Sequence, residues 1–138
     1  MRIPFQRFPT VFVRLTGRNG CLREYRALVS PATEYCILPK VDAYRLGYPE
    51  AARDEPVTEP PNLFRGVTFN GYWEGMLISV KEVAIGGVSR TNVDFIAFDL
   101  PQVATFDVIL GRSFLNPSRL AIDYAGNEIR IGETEEKR

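Results

Sequence analysis

The 138-residue chain contains no histidine. That absence removes every Ser-His and Cys-His nucleophilic pair, and with them the commonest transition-metal ligand. Cysteine is scarce, with only Cys21 and Cys36 present. Two thiols without a histidine cannot complete a zinc site, so no metal and no cofactor are expected. The cysteines read as two half-buried thiols in strands rather than as a disulfide. Lysine is confined to Lys40, Lys81 and Lys137. Lys40 lies across a strand and a helix start from Ser30, which argues against a Ser-Lys dyad.

Net charge is also lacking. The 17 basic residues balance the 17 acidic ones, so charge alone attracts neither nucleic acid nor an anionic membrane. No apolar run approaches the roughly 20 residues that span a bilayer. The opening MRIPFQRFPT has no apolar core of a signal peptide. A cytoplasmic protein with no nucleic-acid and no membrane partner is expected.

What remains is rich in strand formers. Hydrophobic residues make up 45% and charged residues 25%, enough to bury a core without disulfide or metal staples. In TVFVRLT, residues 10–16, Val11, Val13 and Leu15 fall on one face and Arg14 and Thr16 on the other, the period of a half-buried strand. A turn at Gly17–Gly20 leads into a second strand, CLREYRALV. Ser30-Pro31-Ala32-Thr33 breaks it, because Pro31 has no N–H for a central ladder. The strand Tyr35–Leu38 follows. Pro39 then opens a short helix over Lys40–Leu46, expected to turn Val41 and Tyr44, with Arg45 beside them, toward the sheet. Gly47 suits the position just past its end.

Residues 48–62 hold Pro49, Pro56, Pro60 and Pro61 and read as a surface loop. Strands resume at Leu63. Asn70-Gly71 is the strongest hairpin signal in the chain. A long strand through Ile85 turns at Gly86-Gly87 into VSRTNVDFIAF. After a loop at Pro101 come an apolar strand, Phe106–Leu110, and a short helix at Gly111–Asn116 stopped by Pro117. The last hairpin is RLAIDY, a turn at Ala125–Asn127, and EIRI. Many short strands with close turn signals and two short helices predict an all-β, closed or nearly closed barrel.

Two segments carry a resemblance. ALVSPATEYCILPKVDAYRLG, residues 27–47, resembles the active-site strand of retropepsin-like, single-lobe aspartic proteases. There an apolar pair leads into an Asp-Thr/Ser-Gly triplet, a strand, a proline and a short helix ending in Leu-Gly. FDVILGRSFLNPSRLAIDY, residues 106–124, resembles that family's apolar strand, Gly-Arg helix turn and closing strand. Between them, residues 63–87 sit where the family places its flap hairpin. The resemblance implies an acid-protease-type lobe of six to eight strands with two short helices. It makes residues 1–138 one domain, with its core at about 10–131 and a charged tail at 132–138.

The departure falls on the chemistry. On this match Ser30, Pro31 and Ala32 occupy the catalytic triplet. The family's paired carboxylates share a proton and activate a water, which a serine hydroxyl cannot do near working pH. Pro31 offers neither hydroxyl nor N–H. Ala32 adds a methyl group where the triplet has glycine. Glu34, the nearest acid, reads as a solvated strand-end charge. Asp107 and Asp123 fall where the family often carries a structural acid, and Asp42, Asp54, Asp94 and Asp99 lie elsewhere.

The resemblance therefore implies no catalytic residue. Its cleft and flap would offer Ser30, Ala32, Thr33, Gly66, Asn70, Gly71 and Trp73 for binding, with Gly111 and Arg112 in structural or interface roles. The implied partners are a second copy of the chain and an extended peptide or protein ligand. The expected function is a catalytically inactive pseudo-protease acting as a dimeric peptide- or protein-binding or assembly module. The alternative is an active aspartic endopeptidase with a non-standard active site.

Overall fold

The computed structural model describes residues 1–5, 8–49, 63–68, 71–99 and 106–132, with backbone alone at 63–68 and 71–74. The loop beyond Pro49, the turn residue Asn70, the loop at Pro101 and the tail after Gly132 lie outside these residues.

Among the described residues, ten strands and two short helices follow in order. They are β1 (Arg2–Pro4), β2 (Thr10–Thr16), β3 (Leu22–Val29), β4 (Cys36–Leu38), α1 (Lys40–Arg45), β5 (Leu63–Thr68) and β6 (Gly71–Ile85). After these come β7 (Val88–Ala97), β8 (Val108–Leu110), α2 (Arg112–Leu115), β9 (Arg119–Asp123) and β10 (Glu128–Gly132).

Seven strands form one sheet in the order β2-β3-β8-β4-β7-β6-β5, and β2 pairs back onto β6. That extra pairing, Arg14↔Ala84 through Thr16↔Glu82, closes six strands into a barrel and, among the described residues, leaves β5 as an edge strand on β6. Closure follows from the alternation in the sequence. Val11, Val13 and Leu15 of β2 are buried while Phe12 and Arg14 are exposed. Tyr25, Ala27 and Val29 of β3 likewise turn inward. They meet Val80, Val83 and Ile85 of β6, Phe95 of β7 and Phe114 of α2 in one core. Burying each large side chain of this set contributes about 1.5–3 kcal/mol.

β8 is inserted between β3 and β4. It runs parallel to β3, Ala27↔Val108 to Val29↔Leu110, and antiparallel to β4 at Ile37↔Ile109. A strand paired on both sides has little solvent contact, which is why it reads as an uninterrupted apolar run. The β6–β7 hairpin joins Ile85 to Val88 through Gly86-Gly87. Gly86 has φ +54°, the left-handed conformation that a two-residue hairpin requires.

A separate three-stranded sheet, β1-β10-β9, joins the chain ends. Ile129 and Ile131 are buried on its inner face, with Ile3, Leu120 and Ile122 packed against the same core. β1 was not foreseen in the sequence. It pairs with β10 at Arg2↔Arg130 through Pro4↔Glu128.

Helix α1 corrects one expectation. Val41 is 52% exposed and Tyr44 59% exposed, and Arg45 also faces solvent. The buried residues are Asp42, Ala43 and, just past the helix, Leu46. The face is set by Asp42, whose Oδ1 accepts a hydrogen bond from the Tyr25 hydroxyl at 3.1 Å and lies 3.6 Å from Arg45. A partnered carboxylate in a first helical turn can be buried at little cost. Gly47 ends the helix at φ +94°, as the sequence indicated. The N–H of Lys40 at the helix start donates to Asp99 Oδ1 at 2.9 Å.

The thiols differ from expectation as well. Cys36 is fully buried in β4, and Cys21 is half-buried in the turn ahead of β3. Both are free.

Candidate functional site

The segment after β3 is held by the elements that cross it. The Ser30 N–H donates to Leu110 O of β8 at 3.0 Å, and the Thr33 N–H returns to Ser30 O at 3.1 Å. This closes a tight turn over Ser30–Thr33. Inside it the Ser30 and Thr33 hydroxyls share a hydrogen bond of 2.7 Å. Both residues are half-buried, while Pro31 and Ala32 at the tip are exposed. Ala32 is not in the left-handed region; among the described residues only Asn92 and Asn127 are positive-φ residues other than glycine. The turn therefore needs no glycine at this position.

The start of α2 locks against the same turn. The Arg112 N–H donates to Thr33 O at 2.8 Å, and the Ser113 N–H to Glu34 O at 2.9 Å. Gly111 is buried beneath the turn, and a Cβ there would lie 2.5 Å from both Thr33 O and Tyr35 O. Its structural role is thus a matter of space. The Arg112 side chain is exposed and makes no ion pair among the described residues. Its backbone carries the structural contact.

Ser113 was not singled out from the sequence. Its Oγ accepts from the Cys36 N–H at 3.0 Å and donates to Asp94 O at 2.7 Å. One hydroxyl thereby joins α2, β4 and β7. Burial pushes the Cys36 thiol up to about 11, against the lowering effect of hydrogen bonds from Ser113 and from backbone groups at Gly111 and Phe114. Desolvation of the thiolate outweighs its donors, so this sulfur is a packing group and not a nucleophile.

A groove of about 470 Å³ opens beside the turn. Pro31, Leu115, Leu120 and Ile122 give it an apolar floor, and Arg112, Asn116 and Ser118 line its rim. The floor was invisible in the sequence because Leu120 and Ile122 read there only as strand residues.

The positions expected in a flap fall on the β5–β6 hairpin. Gly66 is opposite Trp73 and Thr68 opposite Gly71 in its register. Asn70 and the side chains of Gly66, Gly71 and Trp73 lie outside the described residues. Among the described residues no group of three or more His, Cys, Asp or Glu could hold a metal ion, and no helix is long and apolar enough to cross a membrane.

No family model and no curated protein matches the chain. Among solved structures, the chain is similar to a retropepsin-like aspartic protease from Rickettsia conorii. The two share 20% sequence identity and a TM-score of 0.62 over 95% of this chain and 96% of that one. The fold is therefore that of a retropepsin-like aspartic protease, a closed six-strand barrel with two short helices.

Proposed function

We propose that residues 1–138 act as a single retropepsin-fold domain that has lost aspartic-protease catalysis and serves as a dimeric peptide- or protein-binding or assembly module. The observation that carries this is the hydrogen bond between the Ser30 and Thr33 hydroxyls, 2.7 Å long. Water activation by a carboxylate pair needs groups that exchange a proton near working pH. A hydroxyl pair joined by one hydrogen bond has no such group. The exposed neighbours Pro31 and Ala32 offer no hydroxyl, and Pro31 offers no N–H.

Two further features support a binding role. The apolar floor of the groove beside Pro31 suits a second copy brought in across a two-fold axis at the Ser30 turn. Among the described residues β5 pairs with β6 alone, and an open strand edge accepts an extended peptide by strand addition.

Two experiments test this. The purified chain is incubated with unfolded casein from acid to neutral pH, with and without a statine-type inhibitor. No inhibitor-sensitive cleavage is expected, and its appearance would restore the alternative of an active endopeptidase with a non-standard site. Sedimentation of the wild type and of Leu120→Glu tests the dimer. A wild-type monomer at tens of micromolar, or a dimer unaffected by the substitution, would sink the assembly reading.

A further inference from the structure

The outer face of the β1-β10-β9 sheet carries charges that its own structure does not balance. Alternation puts Ile3, Ile129, Ile131, Leu120 and Ile122 toward the core. It turns Arg2, Arg119 and Arg130, with Glu128 and Asp123, to the other side. Arg2 is directly opposite Arg130 in the register, and like charges in that relation destabilise a sheet. Arg130 is drawn to Glu128 at 2.8 Å and Asp123 at 4.0 Å. Arg2 and Arg119 have no carboxylate within 4.0 Å among the described residues.

Between these arginines the sheet is bare. Ala121 lies opposite Arg130, and Gly132 opposite Arg119, so the two central positions carry a methyl group and no side chain at all. The result is a hollow of about 340 Å³ walled by Arg2, Arg119 and Arg130. The inner isoleucines hold this sheet to the core. Arg130 has its own carboxylates, but Arg2 and Arg119 bring positive charge to the gap that no carboxylate of the described residues offsets.

We propose that the hollow binds a doubly charged phosphate group, whether free or carried as a phosphomonoester. Two uncompensated guanidinium groups, Arg2 and Arg119, match a phosphate of about −1.5 to −2 charges at neutral pH. The planar fork of arginine pairs with phosphate oxygens through two parallel N–H···O bonds, which a lysine cannot reproduce. The site is separate from the Ser30 turn but adjoins it through β9. Leu120 lines both the hollow and the groove beside Pro31.

The test is a titration of the full ¹⁵N-labelled chain with inorganic phosphate and, separately, O-phosphoserine, at ionic strength held constant with chloride. Saturable shifts are expected for the Nε–H groups of Arg2, Arg119 and Arg130 and for the amides of Ala121 and Gly132. Arg2→Gln with Arg119→Gln is expected to weaken binding about tenfold or more, while Arg26→Gln, on the barrel, leaves it unchanged. Tighter binding of O-phosphoserine identifies a phosphorylated side chain as the source, and equal binding identifies free phosphate. Shifts that never saturate, that chloride alone reproduces, or that survive the double substitution overturn the site. Both arginines are exposed, so the double variant is expected to melt as the wild type does. An unaltered melting curve keeps a loss of binding from being mistaken for unfolding.

Discussion

Gly111 lies so close beneath Thr33 that a Cβ on it would sit 2.5 Å from the Thr33 carbonyl oxygen. That oxygen already accepts the Arg112 N–H at 2.8 Å, so it cannot swing away without breaking the link between the Ser30 turn and α2. Gly111 has φ −101°, an ordinary value for any residue, and only the space demands glycine. Gly111→Ala is expected to cost roughly 1–3 kcal/mol by overpacking. Gly87→Ala, which meets nothing within 4 Å, should change stability by less than about 0.5 kcal/mol. Urea unfolding of the two variants decides. Equal midpoints would mean that the turn and α2 are not packed in this way.

Ser113 supplies a second link. Its Oγ accepts from the buried Cys36 N–H and donates to Asp94 O. Ser113→Ala leaves that N–H without its partner, and an unsatisfied buried donor costs about 1–3 kcal/mol. The exposed Ser89, bonded to Glu82, is the control, with an expected change under about 0.5 kcal/mol when replaced by alanine. Similar losses in both variants would show that the Ser113 hydroxyl holds nothing together.

How much of this was legible depended on the range over which each signal acts. The alternation of Val11, Val13 and Leu15 and the turn at Gly86-Gly87 are local, so the β2 face and the β6–β7 hairpin could be read directly. The Gly111-Arg112-Ser113 segment was legible as a motif, but the task of Ser113 was not, because its partners Cys36 and Asp94 are far away in the chain. α1 was misread for the same reason. Six residues are too few for a helical period to reveal the buried face, which Tyr25 sets from β3 through its bond to Asp42. β1 is three residues long and exists because β10, from the other end of the chain, pairs with it. Nothing within Arg2–Pro4 signals that pairing. The arginine hollow is illegible in the sequence for the same reason, since Arg2, Arg119 and Arg130 meet only once that sheet forms.

The Tyr25–Asp42 contact has a pH signature. Burial, then the Asp42 charge and the hydrogen bond to it, raise the Tyr25 hydroxyl well above the usual tyrosine range. An unfolded tyrosine loses its proton near pH 10, and the folded one keeps it. Above pH 10 the folded state therefore binds more protons than the unfolded state, and stability falls as pH rises. Below pH 10 this contribution is fully present. Tyr25→Phe is expected to cost roughly 1–2 kcal/mol at pH 8, because Asp42 loses a donor. The gap between variant and wild type should then narrow from pH 10 upward. Denaturant titrations at pH 8, 10 and 11 measure it. A gap that stays constant across that range would mean that Tyr25 titrates alike folded and unfolded.

The two cysteines should separate by reactivity. Disulfide exchange with an aromatic disulfide reagent needs a thiolate that the reagent can reach. Cys36 fails on both counts: it has no exposed surface, and burial pushes its thiol up to about 11. Cys21 is half-buried in the turn before β3 and within reach. At pH 8 the native chain is expected to release one equivalent of reporter quickly. The second should follow only as β4 opens, on the order of a hundredfold more slowly, because reaction then waits on an unfolding event. Guanidinium should make both thiols react together. Cys21→Ser should abolish the fast phase and leave the slow one, while Ser113→Ala, by loosening β4, should speed the slow phase alone. Two fast equivalents in the native wild type would contradict the burial of Cys36 between Gly111 and Ser113, and with it the way α2 is locked onto the Ser30 turn.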